Sequence, residues 1–354
     1  MAVTAVGLKT HIYNNNAKSA LLLAGFPILV MGMVCTFFAA MYKLKVILPG
    51  MKNIPLDKNI PFIDILAYSW EDTLSSLPMI FLCVGIWFVI AYFIHSKMIH
   101  ASTGSMAASR KDYPKIYNML ENLCIERGIM MPQLRVIDSP ALNAFASGIN
   151  QKTYAITLTR GIIDTLEDDE LNAVLAHELT HILNRDVRLL IISVIFVGII
   201  SFLAEMIFRI LVHGRGGRRY RYKNSSGNDK KGGHMVILLV ALAVLVIGYI
   251  FAIVIRFALS RKREYLADAG AVELTKNPEA MMKAPMRISG KDVVKDMPDE
   301  VQQMCIENSY GFMGGIFATH PSIDDRIDTI SKMTNTPVPA LNISLKRPPK
   351  RPWG

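Results

Sequence analysis

The fold is decided by the stretch Leu175-Ala-His-Glu-Leu-Thr-His-Ile-Leu183, in which two histidines stand four residues apart. Acidic residues followed by apolar residues at helical spacing predict a helix over 165–184. Side chains four apart share one face of a helix, so the imidazoles of His177 and His181 can bind one Zn²⁺. Glu178 then lies beside the metal, where its carboxylate can move a proton between water and a leaving amine. The stretch therefore predicts zinc-dependent hydrolysis, and purely structural histidines are the alternative.

Two imidazoles leave such a metal in need of a third protein ligand. A third histidine of the metzincin kind is excluded because Val187 stands where it would lie. Asp186 falls on a different face of the predicted helix, where we expect it to cap the helix or to face solvent. The better candidate is Glu264, which follows a long apolar run; the alternative is a surface carboxylate paired with a neighbouring cation. Asp268, one turn further on, suits an acceptor that orients a ligand imidazole, or else a solvated aspartate.

The composition indicates an integral membrane protein. Of the 354 residues, 51% are hydrophobic and only 19% are charged, whereas an ordinary soluble domain carries about 25% charged residues. Each of four apolar runs is long enough to cross a bilayer core, which needs roughly 20 helical residues; they are 20–42, 74–95, 188–212 and 235–259. The net charge of +10 suits contact with anionic lipid headgroups, because the cations flank the apolar runs, and nucleic acid is not expected as a partner. Four cysteines without paired spacing imply no disulfide framework.

The remaining segments predict one catalytic domain that is interrupted by a membrane hairpin. The predicted organisation is 1–95 as a tail and two spans with a 43–73 loop, 96–187 and 260–334 as the catalytic domain, 188–259 as the hairpin, and 335–354 as a Pro-rich basic tail. Periodicity predicts strands at 133–137, 141–146 and 153–159, and helices at 113–129, 260–275, 278–288, 298–308 and 322–333. The expected fold class is an α+β membrane protein with four transmembrane helices and a mostly helical catalytic domain that carries a small sheet.

Four motifs together resemble those of the M48 family of integral-membrane zinc metallopeptidases. They are His177-Glu-Leu-Thr-His181, Ser260-Arg-Lys-Arg-Glu-Tyr-Leu-Ala-Asp268, Asn143-Ala-Phe-Ala-Ser-Gly148 and Thr319-His-Pro-Ser-Ile-Asp-Asp-Arg326. The similarity runs from the first apolar run to Arg326 and is greatest to the HtpX group of that family, while the CAAX prenyl endopeptidases are more distant. Two positions depart slightly, with Ser147 where Thr is common and Ser322 where a second proline is common.

The resemblance implies a zincin fold of the gluzincin type with one Zn²⁺ per chain. It implies that His177, His181 and Glu264 bind the metal, that Glu178 is the general base, and that His320 lies near the reacting carbonyl. The substrate-binding residues that it implies are Asn143, Ala144, Phe145, Ala146 and Arg326. Residues 143–147 would form an edge strand that binds an extended peptide by strand addition, with a buried central strand as the alternative. His320 could donate a hydrogen bond to the oxyanion or serve a structural role.

We therefore expect a membrane-embedded zinc endopeptidase that hydrolyses unfolded or damaged membrane proteins. A CAAX-type prenyl-protein endopeptidase and a non-proteolytic assembly factor with structural zinc are the alternatives. An intramembrane protease is disfavoured because the histidine motif precedes the third apolar run instead of lying within it. Lysines and arginines in the short connecting segments are nearly balanced between the two sides, so they do not decide the topology. A short N-terminal tail without a transit pattern favours a bacterial inner membrane, and the resemblance implies that the catalytic domain faces the cytoplasm.

Overall fold

A computed structural model describes residues 8–44, 60–213, 237–250, 261–289 and 321–340. Its helices are α1 (Leu8–Lys43), α2 (Phe62–Thr103), α3 (Pro114–Arg127), α4 (Arg160–Thr165), α5 (Asp168–Leu183), α6 (Asp186–His213), α7 (Ile237–Ile250), α8 (Arg261–Thr275), α9 (Pro278–Ile288) and α10 (Ile323–Thr334). Its strands are β1 (Met106–Ala107), β2 (Gln133–Ile137), β3 (Ala144–Ser147) and β4 (Ala155–Thr159). The described part of the chain is thus mostly helical with one small sheet, as the sequence predicts. The predicted helix 298–308 and His320 lie outside the described residues.

The chain divides into two compact units. One unit contains the sheet and the helices around it, within 93–191 and from 256 onward. The other contains most of the long apolar helices, within 20–92 and 192–255. The predicted domain boundaries, 96–187 with 260–334 interrupted by 188–259, stay a prediction.

Two of the described helices, not four, are long and apolar enough to cross a membrane. They cover Ala24–Lys43 and Phe62–Thr103. The third predicted run lies in α6, a helix of 28 residues with charged residues in its first turn and an ion pair near its end, between Arg209 Nε and Glu205 Oε1 at 3.0 Å. The fourth run is described only over α7, about 21 Å of helix at 1.5 Å per residue, which is short of a 30 Å core.

The sheet has the strand order β1-β2-β4-β3, with β2 parallel to β4 and the other pairs antiparallel. β3 is the last strand in this order, and all four of its residues are buried. The strand prediction from residue 141 was wrong by three residues. The hydroxyl of Thr159 explains the difference, because it donates to the Ala141 carbonyl at 2.6 Å and accepts from the Asn143 amide at 2.9 Å. Beyond the single backbone bond from Thr159 N to Asn143 O at 3.0 Å, these side-chain bonds hold the residues that precede Ala144.

Helix α5 is the centre of the catalytic unit, and its N-terminus is fixed from two sides. Glu167 and Glu170 form a reciprocal capping box, in which the side chain of each accepts a hydrogen bond from the backbone amide of the other. Arg287 of α9 donates to both, with Nε 2.7 Å from Glu170 Oε1 and Nη2 3.0 Å from Glu167 Oε1. Further along, α5 packs on α8, α9, β3 and α3. Leu175 and Leu179 are fully buried there, and each such side chain contributes about 1.5–3 kcal/mol.

Helix α8 approaches α5 closely because a glycine faces the histidine motif. A Cβ on Gly270 would lie 2.4 Å from Thr180 Cγ2 and 3.0 Å from Thr180 Oγ1. The Thr180 hydroxyl donates to the Ala176 carbonyl at 2.7 Å, so the threonine cannot rotate away without losing that bond. The short distance between the two helices therefore depends on the absence of a side chain at residue 270.

Gly270→Ala should destabilise the protein by about 1–3 kcal/mol, because the new methyl group overpacks the contact with Thr180. Adding Thr180→Ser removes the clashing Cγ2 methyl group and should recover most of the loss. Thermal unfolding in detergent measures both. Gly32→Ala is the control, because a Cβ there meets no described atom within 4 Å. Equal stabilities for Gly270→Ala and Gly32→Ala would contradict the prediction.

Candidate metal centre

Three predicted ligands meet between α5 and α8. The imidazoles of His177 and His181 stand edge to face, and their Nε2 atoms are 3.2 Å apart. Glu264, in the first turn of α8, places Oε2 3.6 Å from His177 Nε2 and Oε1 3.6 Å from His181 Nε2. Within the described ranges, this is the one group of three possible ligands whose ligand atoms all lie within 4.8 Å of one another.

The spacing of these atoms fits a tetrahedral zinc site. Ligand atoms about 2.0–2.1 Å from a tetrahedral Zn²⁺ lie about 3.3–3.4 Å from one another. The measured separations of 3.2 and 3.6 Å bracket that value. Two imidazoles and one glutamate are also a donor set that catalytic zinc uses, with a fourth position left for water. The residues present therefore fit the metal.

A buried carboxylate holds the first imidazole. Asp268 Oδ1 lies 3.0 Å from His177 Nδ1, which directs Nε2 of the same ring at the metal position. Arg326 of α10 donates twice to Asp268, from Nε to Oδ2 at 2.9 Å and from Nη2 to Oδ1 at 2.6 Å. Burial alone would raise the pKa of Asp268, but the charge of Arg326 and the hydrogen bonds from His177 and Arg326 lower it to about 2. Asp268 is therefore ionised and fixed in orientation.

A second carboxylate contacts the other imidazole, and the sequence analysis missed it. Asp186 Oδ2 lies 3.2 Å from His181 Nδ1, and its side chain is only 4% exposed. The expectation that Asp186 caps the helix or faces solvent was therefore wrong. A signal was present in the sequence, because Asn184-Arg185-Asp186 ends one apolar helix pattern and begins another with an acid in its first turn.

Glu178 is buried next to the three ligands. Burial raises the pKa of its carboxyl group, the charges of His177 and His181 lower it, and Glu264 raises it again, so that the pKa lies above its usual value. A hydrogen bond with the backbone of Ala146 holds the carboxylate against β3. A raised carboxyl pKa is what proton transfer near neutral pH requires.

Among the described strands, β3 has one neighbour only, and its other edge, called here the open edge, faces Glu178. Thr159 N donates to Asn143 O at 3.0 Å, so alternate residues of this antiparallel pair, Asn143 and Phe145, direct their backbone groups toward β4. Ala144 and Ala146 consequently direct theirs away from it. The amide of Ala144 donates to Asn143 Oδ1 at 2.8 Å, and the backbone of Ala146 forms a hydrogen bond with Glu178. Of the predicted substrate-binding residues on this strand, only the two alanines offer backbone groups to the open edge.

Arg326, which the resemblance implies as a substrate-binding residue, pairs with a buried carboxylate. Its side chain is 2% exposed, and its Nε and Nη2 groups both donate to Asp268. It therefore holds the carboxylate that contacts His177, and substrate binding by Arg326 stays a prediction. A pairing between residues 58 positions apart leaves no local pattern that sequence reasoning could have used.

The model of Peptidase family M48 matches residues 110–334, which include both histidines and α8. A Protease HtpX homolog of Bacteroides fragilis (strain YCH46) is 42% identical over 330 residues, covering 91% of this chain and 97% of the relative. The chain belongs to peptidase family M48. The resemblance drawn from the four motifs is thereby confirmed, and the protein is a metallopeptidase.

Other relatives of this M48 peptidase are more distant. Protease HtpX homologs of Listeria monocytogenes serotype 4a (strain HCC23) and Ligilactobacillus salivarius (strain UCC118) are 34% and 32% identical over 271 residues. These alignments cover 75% and 76% of this chain and 88% and 90% of the relatives. The crystal structure of S. mikatae Ste24p is 17% identical with a TM-score of 0.42, covering 90% of this chain and 66% of that one. Similarity at that level does not establish a shared fold.

Glu264→Ala should abolish stable zinc binding by the M48 peptidase, because it removes one of three ligands. Asp268→Ala keeps all three ligands, removes the acceptor that His177 Nδ1 shares with Arg326, and should weaken zinc binding by about 10–100-fold. Competition with a chelator of known affinity, followed by elemental analysis, measures both. Glu126→Ala, on the exposed side of α3, is the matched control. Full zinc affinity in Glu264→Ala would assign the third ligand to another residue.

Proposed function

We propose that this M48 peptidase is a membrane-embedded zinc endopeptidase that hydrolyses misfolded or damaged membrane proteins. The observation that carries the proposal is the convergence of His177, His181 and Glu264 at zinc-like spacing, with the buried Glu178 beside them. A structural zinc site would not need a carboxyl group with a raised pKa next to the ligands. This arrangement therefore favours hydrolysis over an assembly factor that only holds zinc.

The side chains divide the chemistry between them. A zinc ion bound by the three ligands would lower the pKa of a bound water toward about 7 and polarise the scissile carbonyl. The Glu178 carboxylate takes the proton of the attacking water and delivers it to the leaving amine. The backbone of Ala146 keeps that carboxylate in place during both transfers. Asp268 and Arg326 hold the His177 ring, so that its Nε2 atom stays directed at the metal position.

Recognition of the substrate would use backbone groups on the open edge of β3. The carbonyl oxygens of Ala144 and Ala146 can accept hydrogen bonds from an extended peptide that adds to the strand beside Glu178. Contacts of this kind do not depend on the side chains of the substrate, but they require a chain that is locally unfolded. This supports a quality-control role over a CAAX-type activity, which acts on one defined C-terminal motif. The proposed role of His320, a donor to the oxyanion, is supported by the family resemblance alone.

We propose four membrane crossings, with α6 and the segment that contains α7 providing the third and fourth. Arg263 Nη1 donates to the Asp186 carbonyl at 3.4 Å, so the first turns of α6 and α8 lie next to each other. The intervening chain must return to the side that it left, which requires an even number of crossings. We place the catalytic unit on the cytoplasmic side of a bacterial inner membrane, with one zinc ion per chain.

Glu178→Gln should retain zinc while cleavage of an unfolded protein such as denatured casein falls by at least about 100-fold, because only proton transfer is lost. Elemental analysis and a gel-based cleavage assay on the same purified sample give both quantities. Glu126→Gln serves as the control. Near-normal cleavage by zinc-loaded Glu178→Gln would show that another group is the base, and the proposed mechanism would fail.

The topology can be decided with a phosphatase reporter that is active only after export. With the catalytic unit in the cytoplasm, a fusion after Gly354 should be inactive and an insertion at Ser226, between α6 and α7, should be active. Immunoblots of both fusions control for expression. The opposite pattern would place the metal centre outside the cell.

A further inference from the structure

We propose that Asp186 is a positioning residue that orients His181 for metal binding from the first turn of α6. This inference rests on the proposed zinc site. Asp186 Oδ2 lies 3.2 Å from His181 Nδ1, and the two side chains are only 4% and 13% exposed. A carboxylate that accepts the Nδ1 proton leaves the lone pair of Nε2 free for the metal and prevents rotation of the ring.

The two ligand imidazoles are therefore held in the same way by different parts of the chain. His177 has Asp268 at 3.0 Å from its Nδ1 atom, and His181 has Asp186 at 3.2 Å. With both Nδ1 atoms in contact with carboxylates, both Nε2 atoms face the same point, 3.2 Å from each other. A metal site with only one fixed imidazole would leave the second ring free to adopt other tautomers and rotamers.

A break in the helix allows Asp186 to reach His181. In a continuous helix, a residue five positions on points about 140° away from the first, because each residue turns by about 100°. Arg185 has a φ of +60°, in the left-handed region that residues other than glycine rarely adopt. Its amide donates to the Ile182 carbonyl at 3.1 Å, which ends α5, and α6 begins at the next residue. The strained residue thus turns the Asp186 carboxylate back toward the metal centre.

Asp186 is also tied to the helix that supplies the third ligand. The guanidinium of Arg263 donates to the Asp186 carbonyl at 3.4 Å, and Arg263 directly precedes Glu264. The first turns of α6 and α8 are therefore linked to each other beside the metal position. Since these two helices flank the proposed membrane hairpin, the link makes the orientation of two ligands depend on how the hairpin begins and ends.

A purely structural role for Asp186 has to be distinguished from positioning. An acidic residue in the first turn stabilises a helix by interacting with its dipole, and losing it would lower the stability of α6. Such a loss would change the melting temperature without changing the ligand geometry of the folded protein. Zinc affinity and the absorption spectrum of a Co²⁺-substituted sample report on that geometry directly.

Asp186→Asn in the full-length protein should weaken zinc binding by about 10–100-fold in a chelator competition. It should also change the visible absorption bands of the Co²⁺-substituted protein. Asp268→Asn is the positive comparison, and Asp164→Asn, an exposed residue of α4, is the control that should change neither quantity. Asparagine keeps the size of the side chain and the preference for a helix start.

Arg185 provides an independent test that leaves the Asp186 carboxylate in place. Arg185→Gly adopts the left-handed conformation without a Cβ and should keep zinc affinity within about twofold. Arg185→Val, which is β-branched, disfavours that conformation and should weaken zinc binding as Asp186→Asn does.

Two different failures are distinguishable. Wild-type zinc affinity and an unchanged Co²⁺ spectrum in Asp186→Asn, in a protein whose Glu264→Ala variant loses zinc, would overturn the positioning role and leave the metal site intact. A wild-type protein that binds no zinc in the same assay would overturn the proposed function itself.

Discussion

The burial of several ionisable groups between α5 and α8 is the constraint on which the rest of the structure depends. Four carboxylates surround two imidazoles there, and each is less than a tenth exposed; they are Glu178, Asp186, Glu264 and Asp268. Buried charges are tolerated only when they are paired. The guanidinium groups of Arg263 and Arg326 and one divalent cation would together balance the four negative charges. Without a cation the site takes up protons. Burial alone would lower the pKa of His177, but its hydrogen bonds with Asp268 and Glu264 outweigh that effect and raise the pKa to about 9. Protons and metal therefore compete for the same electron pairs.

The scaffold around this cluster explains how such a site can exist at all. Metal ligation requires atoms to be placed within a few tenths of an ångström, and loops alone rarely achieve that. Here, α5 is fixed at its start by the capping box and Arg287, and along its length by the close contact at Gly270. The two histidines are thus held on a rigid helix, and Glu264 arrives on a second helix whose distance from the first is set by a missing side chain. The strand β3 completes the surroundings of the site, because its backbone forms a hydrogen bond with Glu178.

The sequence predicted what local patterns can encode. The helices around residues 113–129, 260–275, 278–288 and 322–333 are present within one or two residues, and Ser322 caps the last of them by accepting from Asp325 N at 3.1 Å. What it missed depends on single torsions or distant partners. Asp186 reaches His181 only because Arg185 has a positive φ, and Arg326 pairs with Asp268, 58 residues away. No periodicity carries such information, whereas the three predicted metal ligands follow from helical spacing and resemblance alone.

The proposed crossing by α6 would place the metal centre close to the membrane. Asp186 contacts a ligand imidazole, and the apolar part of the same helix begins three residues later at Leu189. If that helix enters the bilayer as proposed, the metal lies within about 10 Å of the membrane surface, since each residue adds only 1.5 Å. Strand addition at the edge of β3 requires several residues of extended chain, which a folded substrate does not offer. A membrane protein that has lost its fold offers such a segment directly at the membrane surface. Recognition by strand addition would thus favour unfolded membrane proteins over folded ones, as proposed above.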